Sequence, residues 1–85
     1  MDIREVFARN LRRIRHAKGL SQEALAHESD MDRSYISSLE RGLYNASIET
    51  VAKLADVLGI EPDELLRRTS KPGRSKSANS ARAGS

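Results

Sequence analysis

The chain has 85 residues, of which 38% are hydrophobic and 32% are charged, and it contains no cysteine. So short a chain has room for one small core, and without cysteine it forms neither disulfides nor thiolate metal sites. The amino-terminal residues are polar and contain no apolar run that would indicate a signal peptide or a membrane span, so we expect a soluble, cytoplasmic protein.

The net charge of +3 is unevenly distributed along the chain. Residues 1–66 hold nine Lys or Arg and twelve Asp or Glu, which gives −3, whereas residues 67–85 hold six Lys or Arg and no acid, which gives +6. Beyond residue 66 the apolar periodicity stops, and Ser, Lys, Arg, Ala and Gly take over. We therefore expect one folded domain over residues 1–66 and a disordered, flexible basic tail over residues 67–85.

Two helices are predicted in the first third of the chain. The first covers about residues 3–18 and ends at Gly19. Its apolar residues recur at helical spacing and are Val6, Phe7, Leu11 and Ile14. The second covers about residues 22–29 and follows Ser21, whose hydroxyl is a favourable N-cap. The apolar pattern then breaks at Ser29 and Asp30, which predicts a turn.

A third helix is predicted over about residues 33–41, with Asp32 as a possible N-cap and Gly42 after its end. Ile36 and Leu39 form its apolar stripe, and at about 100° per residue Tyr35 and Glu40 lie near that stripe and are expected to be partly buried. The opposite face presents Ser34, Ser37, Ser38 and Arg41, with Arg33 at its edge, and carries no carboxylate. Two short helices joined by a tight turn indicate a helix-turn-helix, in which the second helix enters the major groove of DNA.

Two more helices complete the predicted all-α domain. The fourth covers about residues 48–58 after the N-cap Ser47, and the fifth covers about residues 62–67, with Pro62 in its first position. This region has more apolar side chains than one small core needs. We expect the surplus to form the surface of a homodimer, and its residues are Val57, Ile60, Leu65 and Leu66.

Residues 3–66 also follow the pattern of a known family. The matching segments are Ser21-Gln22-Glu23, Leu25-Ala26, Asp32-Arg33-Ser34-Tyr35-Ile36-Ser37 and Leu39-Glu40-Arg41-Gly42, with Asn10-Leu11-Arg12-Arg13-Ile14-Arg15 and Gly19-Leu20 before them and Asn45, Ser47, Ile48, Glu49, Leu54, Leu58 and Gly59 after them. They resemble the phage Cro/repressor type of helix-turn-helix, called the XRE family, and among its members especially the controller proteins of restriction-modification systems. Two departures are Asp30, where the family has a glycine in a left-handed conformation, and Ala46, where it has proline.

The resemblance implies a compact five-helix, lambda-repressor-like DNA-binding domain. Its function would be that of a sequence-specific transcriptional regulator, either a repressor or an autoregulatory controller. In the resembled family an arginine at the position of Arg15 pairs with the glutamate matching Glu40, so we expect an ion pair between the first and third helices. The resemblance also implies that Gln22 contacts phosphate or braces Arg33.

The expected partner is double-stranded DNA, and the expected DNA-binding residues are Gln22, Arg33, Ser34, Tyr35, Ser37, Ser38, Arg41 and Asn45. Arg33 is the best candidate for bidentate contact with guanine O6 and N7. Arg41 and Asn45 either contact phosphate or only cap and solvate their turn, and Tyr35 either packs or contacts DNA. Because so short a reading surface gives limited affinity by itself, we expect a homodimer on a palindromic operator.

Two other classes of function stand against this interpretation. The alternative is an antitoxin or other module that binds a protein partner in addition to DNA. An enzyme is disfavoured, because the sequence shows no nucleophile with a base, no metal cluster and no phosphate-binding glycine loop. His16 and His27 lack carboxylate or cysteine neighbours at ligand spacing, so we expect surface histidines and no cofactor or metal.

Overall fold

The structure is a computed structural model that describes residues 2–68. The helices in chain order are α1 (Ile3–Ala17), α2 (Gln22–Ser29), α3 (Arg33–Glu40), α4 (Ile48–Leu58) and α5 (Pro62–Leu66). The predicted all-α class with five helices is confirmed, and α1, α3 and α5 each end one residue before the predicted end. In this part of the chain no helix has both the length and the apolar character to cross a bilayer. The predicted basic tail, apart from Arg67 and Arg68, lies outside the described residues.

Polar side chains fix where three of the helices begin. Carboxylate Oδ1 of Asp2 accepts the Arg4 N–H at 3.0 Å, and the Ser21 and Ser47 hydroxyls accept the N–H groups of Ala24 and Thr50 at 2.9 and 3.1 Å. Each bond satisfies an N–H that has no partner inside the helix. The Arg4 backbone N–H, together with the Arg4 guanidinium, holds the pKa of the Asp2 carboxyl below its usual value.

Asp32 behaves differently from the other N-caps. It occupies the N-cap position of α3 with extended backbone angles, but its carboxylate accepts no capping hydrogen bond. The prediction that Asp32 caps α3 through its side chain is therefore wrong. The entry of the chain into α3 is instead fixed by the preceding turn and by the burial of Ile36 and Leu39.

The turn between α2 and α3 depends on one left-handed residue. Asp30 has φ 59° and ψ 47°, which is the conformation expected at the position where the family has glycine. The next amide, that of Met31, donates to the Ala26 carbonyl at 2.8 Å, and the Met31 side chain packs half-buried against the core. Because the short polar side chain of Asp tolerates this conformation better than most, the turn forms without glycine.

The core lies between helices that cross in sequence-distant pairs. Helix α1 packs on α3 and α5, α2 packs on α3 and α4, and α4 packs on α5. The fully buried large apolar side chains are Leu11, Leu25, Ile36, Leu39, Leu54 and Leu65. They come from all five helices, so each helix is held through its apolar stripe, and the opposite face of α3 remains on the surface.

Leu65 is a correction to the predicted dimer surface. Its side chain is fully buried within this single chain, in the cluster that contains Phe7 and Leu11. The core needs it because α5 is only five residues long and Leu65 is its one buried residue. Of the other three predicted dimer residues, Val57 and Ile60 are half-buried against the core and Leu66 is 42% exposed.

Asn10 joins α1 to the end of α5. Its buried amide Nδ2 donates to the carbonyl oxygens of Leu65 and Arg67, at 2.9 and 2.8 Å. These carbonyls follow the last turn of α5 and have no helical partner further along the chain. One side chain therefore terminates α5 and holds it on α1, a role that the sequence pattern did not indicate.

We expect Asn10→Ala to lower the free energy of unfolding by about 1–3 kcal/mol, because it leaves two carbonyls near the core without their donor. Urea unfolding followed by circular dichroism measures this change. Asn45→Ala is the matched control, since Asn45 is exposed and forms no side-chain hydrogen bond with any residue in 2–68. Equal unfolding midpoints for the two variants would contradict this role for Asn10.

Candidate nucleic-acid interface

The position of α3 is fixed by a buried ion pair with α1. Arg15 Nε lies 2.5 Å from Glu40 Oε2, and Arg15 Nη2 lies 2.9 Å from Glu40 Oε1. The two side chains are only 8% and 4% exposed. Arg15 Nη1 donates to the carbonyl of Leu20 at 2.8 Å, so the same guanidinium also holds the segment that enters α2. The structure thus forms the Arg15–Glu40 pair that the family resemblance implied.

Gln22 adds a third contact to this pair. Its amide Nε2 donates to Glu40 Oε1 at 3.1 Å. Of the two roles implied for Gln22, bracing Arg33 is therefore wrong within the described residues, because the amide is directed to Glu40. An amide nitrogen has two hydrogens, so Gln22 retains one donor for a group outside the protein. The ion pair and Gln22 together tie α1, α2 and α3 into one rigid unit.

The outward face of α3 carries the polar side chains expected from the sequence. Arg33, Ser34 and Arg41 are exposed, and Ser37 and Ser38 are half-buried. Among residues 2–68, none of these five side chains forms a hydrogen bond or ion pair with another residue. Their donors and acceptors are free, whereas the inner face of α3 is occupied by Ile36, Leu39 and the paired Glu40. We call these five residues the α3 outer face.

Tyr35 and the loop after α3 form one edge of this surface. Tyr35 is half-buried, as expected, and its ring stacks on that of Tyr44 with centroids 6.2 Å apart and planes at 27°. Tyr44 itself is 55% exposed, and Asn45 beside it is also exposed. The stack fixes the loop against α3 and so holds Asn45 near the outer face. The aromatic ring that follows the helix-ending Gly42 was the available sequence signal for this contact, and sequence analysis missed it.

Carboxylates lie outside the α3 outer face. The one on α3, Glu40, is turned inward and neutralised by Arg15. Asp30 and Asp32 are exposed, but they lie in the turn before α3. The surface between Arg33 and Arg41 is therefore positive or neutral, although residues 1–66 carry a net negative charge. A surface of this kind attracts the phosphates of nucleic acid.

Comparison with known proteins agrees with this geometry. A helix-turn-helix family profile matches residues 11–65. The chain is 44% identical over 66 residues to control protein C.BamHI of Bacillus amyloliquefaciens, which covers 76% of this chain and 82% of that protein. It is 41% identical over 69 residues to the HTH-type transcriptional regulator y4dJ of Sinorhizobium fredii, which covers 81% of this chain and 90% of that protein.

A solved structure shows the same arrangement of helices. The restriction-modification controller protein C.AhdI of Aeromonas hydrophila superimposes with a TM-score of 0.71 at 52% identity, over 73% of this chain and 94% of that one. The chain belongs to the XRE-type helix-turn-helix family. The resemblance found from the sequence is thus confirmed, and this XRE-type protein is a DNA-binding transcriptional regulator.

We expect Arg15→Met and Glu40→Leu to lower the free energy of unfolding of this XRE-type protein by about 3–5 kcal/mol each, because each leaves a buried charge without its partner. The double variant, which removes both charges, should recover most of that loss. Urea unfolding of the four proteins measures the coupling between the two residues.

The exposed Asp63–Arg67 pair provides the control, since Arg67→Met should leave unfolding nearly unchanged. Additive losses in the Arg15 and Glu40 double variant would contradict a locking role for the buried pair.

Proposed function

We propose that this protein regulates transcription by laying α3 in the major groove of a palindromic operator, which it binds as a homodimer. The observation that carries the proposal is the α3 outer face, whose side chains have free hydrogen-bonding groups and no carboxylate among them. The helix beneath it is held by the buried pair of Arg15 and Glu40. A rigid helix with an unoccupied polar face is suited to contact base edges without prior rearrangement.

Arg33 has the best position for reading a base. It is the first residue of α3, and residues at the amino-terminal end of a recognition helix contact base edges. Its guanidinium is exposed and matches O6 and N7 of guanine with two donors. Ser34, Ser37 and Ser38 are short, so the helix backbone approaches the base pairs closely, and their hydroxyls add weaker preferences.

Phosphate contacts would fix the register of α3 in the groove. Gln22 opens α2 and has one free amide hydrogen, while Arg41 and Asn45 follow the other end of α3 and are exposed. These positions flank the α3 outer face on two sides, where the phosphates of the two groove walls lie. The Tyr35–Tyr44 stack supports a packing role for Tyr35, with its phenol left at the edge of the interface.

A dimer is proposed because one short helix offers few base contacts. Val57, Ile60 and Leu66 remain as apolar side chains on α4, on α5 and between them, and Leu66 is exposed at 42%. We place the interface around these three residues and remove the buried Leu65 from it. Two α3 helices related by two-fold symmetry would then reach half-sites whose centres are about 34–36 Å apart. The likeness to control proteins C.BamHI and C.AhdI supports an operator upstream of the protein's own gene.

The experiment that tests this function is the selection of bound sites from random duplexes. We expect the wild-type protein to select two inverted half-sites about one helical turn or a multiple apart. Arg33→Lys should lose preference at one base pair in each half-site, at a cost of about 1–3 kcal/mol, because lysine keeps the charge but not the bidentate donors. Absence of salt-sensitive retention in every pool would overturn the DNA-binding proposal and favour a protein-binding module.

The dimer has a separate test in the absence of DNA. Leu66→Glu should shift the protein towards monomer in analytical ultracentrifugation at micromolar concentration, because a charge at the centre of an apolar interface remains unpaired. Ile48→Glu is the matched control, since Ile48 is 88% exposed and lies outside the proposed interface. Wild-type protein that sediments only as a monomer, with and without its selected duplex, would exclude this dimer surface.

A further inference from the structure

Helix α1 carries a basic stripe that the α3 outer face does not include. Arg9, Arg12, Arg13 and His16 are spaced i, i+3, i+4 and i+7, so they share one side of the helix, and all four are exposed. The opposite side of α1 holds the buried Phe7, Leu11 and Ile14. Since residues 1–66 are acidic overall, this concentration of positive charge on one helix face is a local feature that the fold does not require.

The stripe forms one wall of an open groove between α1 and the carboxyl end of α3. The groove has a volume of about 460 Å³ and is lined by Glu5, Ala8, Arg9, Arg12, Arg13, His16, Glu40, Arg41 and Gly42. A second open depression of about 290 Å³ shares Arg12, His16, Glu40 and Arg41 with it and extends to Gln22 and Ser37. We call the two together the α1 groove. It runs from the α3 outer face along α1 to Arg9.

The cations of the α1 groove are available for a ligand. Within residues 2–68, the guanidiniums of Arg9, Arg12 and Arg41 form no hydrogen bond or ion pair. Of the two carboxylates that line the groove, Glu40 is already bound by Arg15 and Gln22, and Glu5 lies near the far end. The groove therefore presents several unneutralised guanidiniums, which bind phosphate strongly through paired N–H donors.

We propose that the α1 groove binds phosphates of the DNA backbone next to the major-groove site, and so extends the contact of the protein beyond α3. This proposal rests on the DNA-binding function proposed above. It adds Arg9 and Arg12 as phosphate-binding residues, together with Arg41 at the junction of the groove and the α3 outer face. Because these contacts are to the backbone, they contribute affinity and salt dependence but no base preference.

The shape of the groove favours a polymer backbone over a single small anion. It is open along its length, and Arg9 and His16, seven residues apart, are separated by about 10 Å along α1. That distance corresponds to about three phosphates of one strand at about 3.4 Å of helix axis for each. The groove is also continuous with Gln22 and Ser37, which border the base-reading surface. A strand held against α3 would therefore enter the groove without a change in protein conformation.

The test measures binding of the full-length double variant Arg9→Gln/Arg12→Gln to the selected operator over a range of salt concentrations. Each lost phosphate contact should reduce the slope of log K against log salt by about 0.9, so we expect a reduction of nearly two. At 0.1–0.2 M salt, each loss should weaken binding about four- to eightfold, on operator and random duplex alike. The sequence selected from random pools should stay the same as that of the wild-type protein.

Three comparisons make this result specific to the groove. Lys53→Gln on α4 removes a positive charge outside the groove and should reduce the slope by much less. Arg9→Lys/Arg12→Lys keeps both charges and should retain the wild-type slope. Neutral methylphosphonates placed outside each half-site should abolish the difference between the wild type and Arg9→Gln/Arg12→Gln.

The outcomes separate this proposal from the one on which it rests. If wild-type protein binds its operator but Arg9→Gln/Arg12→Gln shows an unchanged slope, the α1 groove proposal fails and the major-groove function stands. If the double variant changes the selected bases, the arginines act in base readout and the backbone assignment is wrong. If the wild type retains no duplex at all, both proposals fall. Circular dichroism and urea unfolding of the variants verify that these exposed substitutions leave the fold intact.

Discussion

The buried contact of Arg15 with Glu40 sets the geometry on which the rest of this protein depends. A guanidinium and a carboxylate that are both almost fully buried must satisfy each other, because either charge alone would be costly to keep away from water. Arg15 also binds the Leu20 carbonyl, and Glu40 also accepts from Gln22, so the pair orients the start of α2 and the end of α3 at once. The direction of the recognition helix thus follows from one electrostatic requirement.

The same requirement leaves the outer side of α3 free. With eight residues, α3 is too short to be stable by itself, and it is held by Ile36 and Leu39 in the core and by Glu40 at its end. Everything that stabilises the helix acts on its inner side. The serine and arginine side chains on the other side have no structural task within the described residues, so their composition is free to serve recognition.

Charge is arranged on the surface according to the same division. The folded domain is acidic in total, yet its exposed guanidiniums are grouped around α3 and the neighbouring side of α1. Such grouping orients an acidic protein towards a polyanion, since the local potential near a charged groove outweighs the more distant acids at physiological ionic strength. A chain with a negative folded domain can therefore still present a positive surface to DNA.

Local sequence determined the helices and the turn between α2 and α3, because apolar spacing, N-cap residues and a tolerated left-handed Asp30 act within a few positions of the chain. It also determined which side of α3 is polar, and the family resemblance supplied the Arg15–Glu40 pair. Tertiary structure alone decided that Leu65 fills the core, that Gln22 binds Glu40, that Asn10 holds α5 and that the α1 arginines border the recognition helix. These features join residues from different helices, and their distances are set only when the helices pack together.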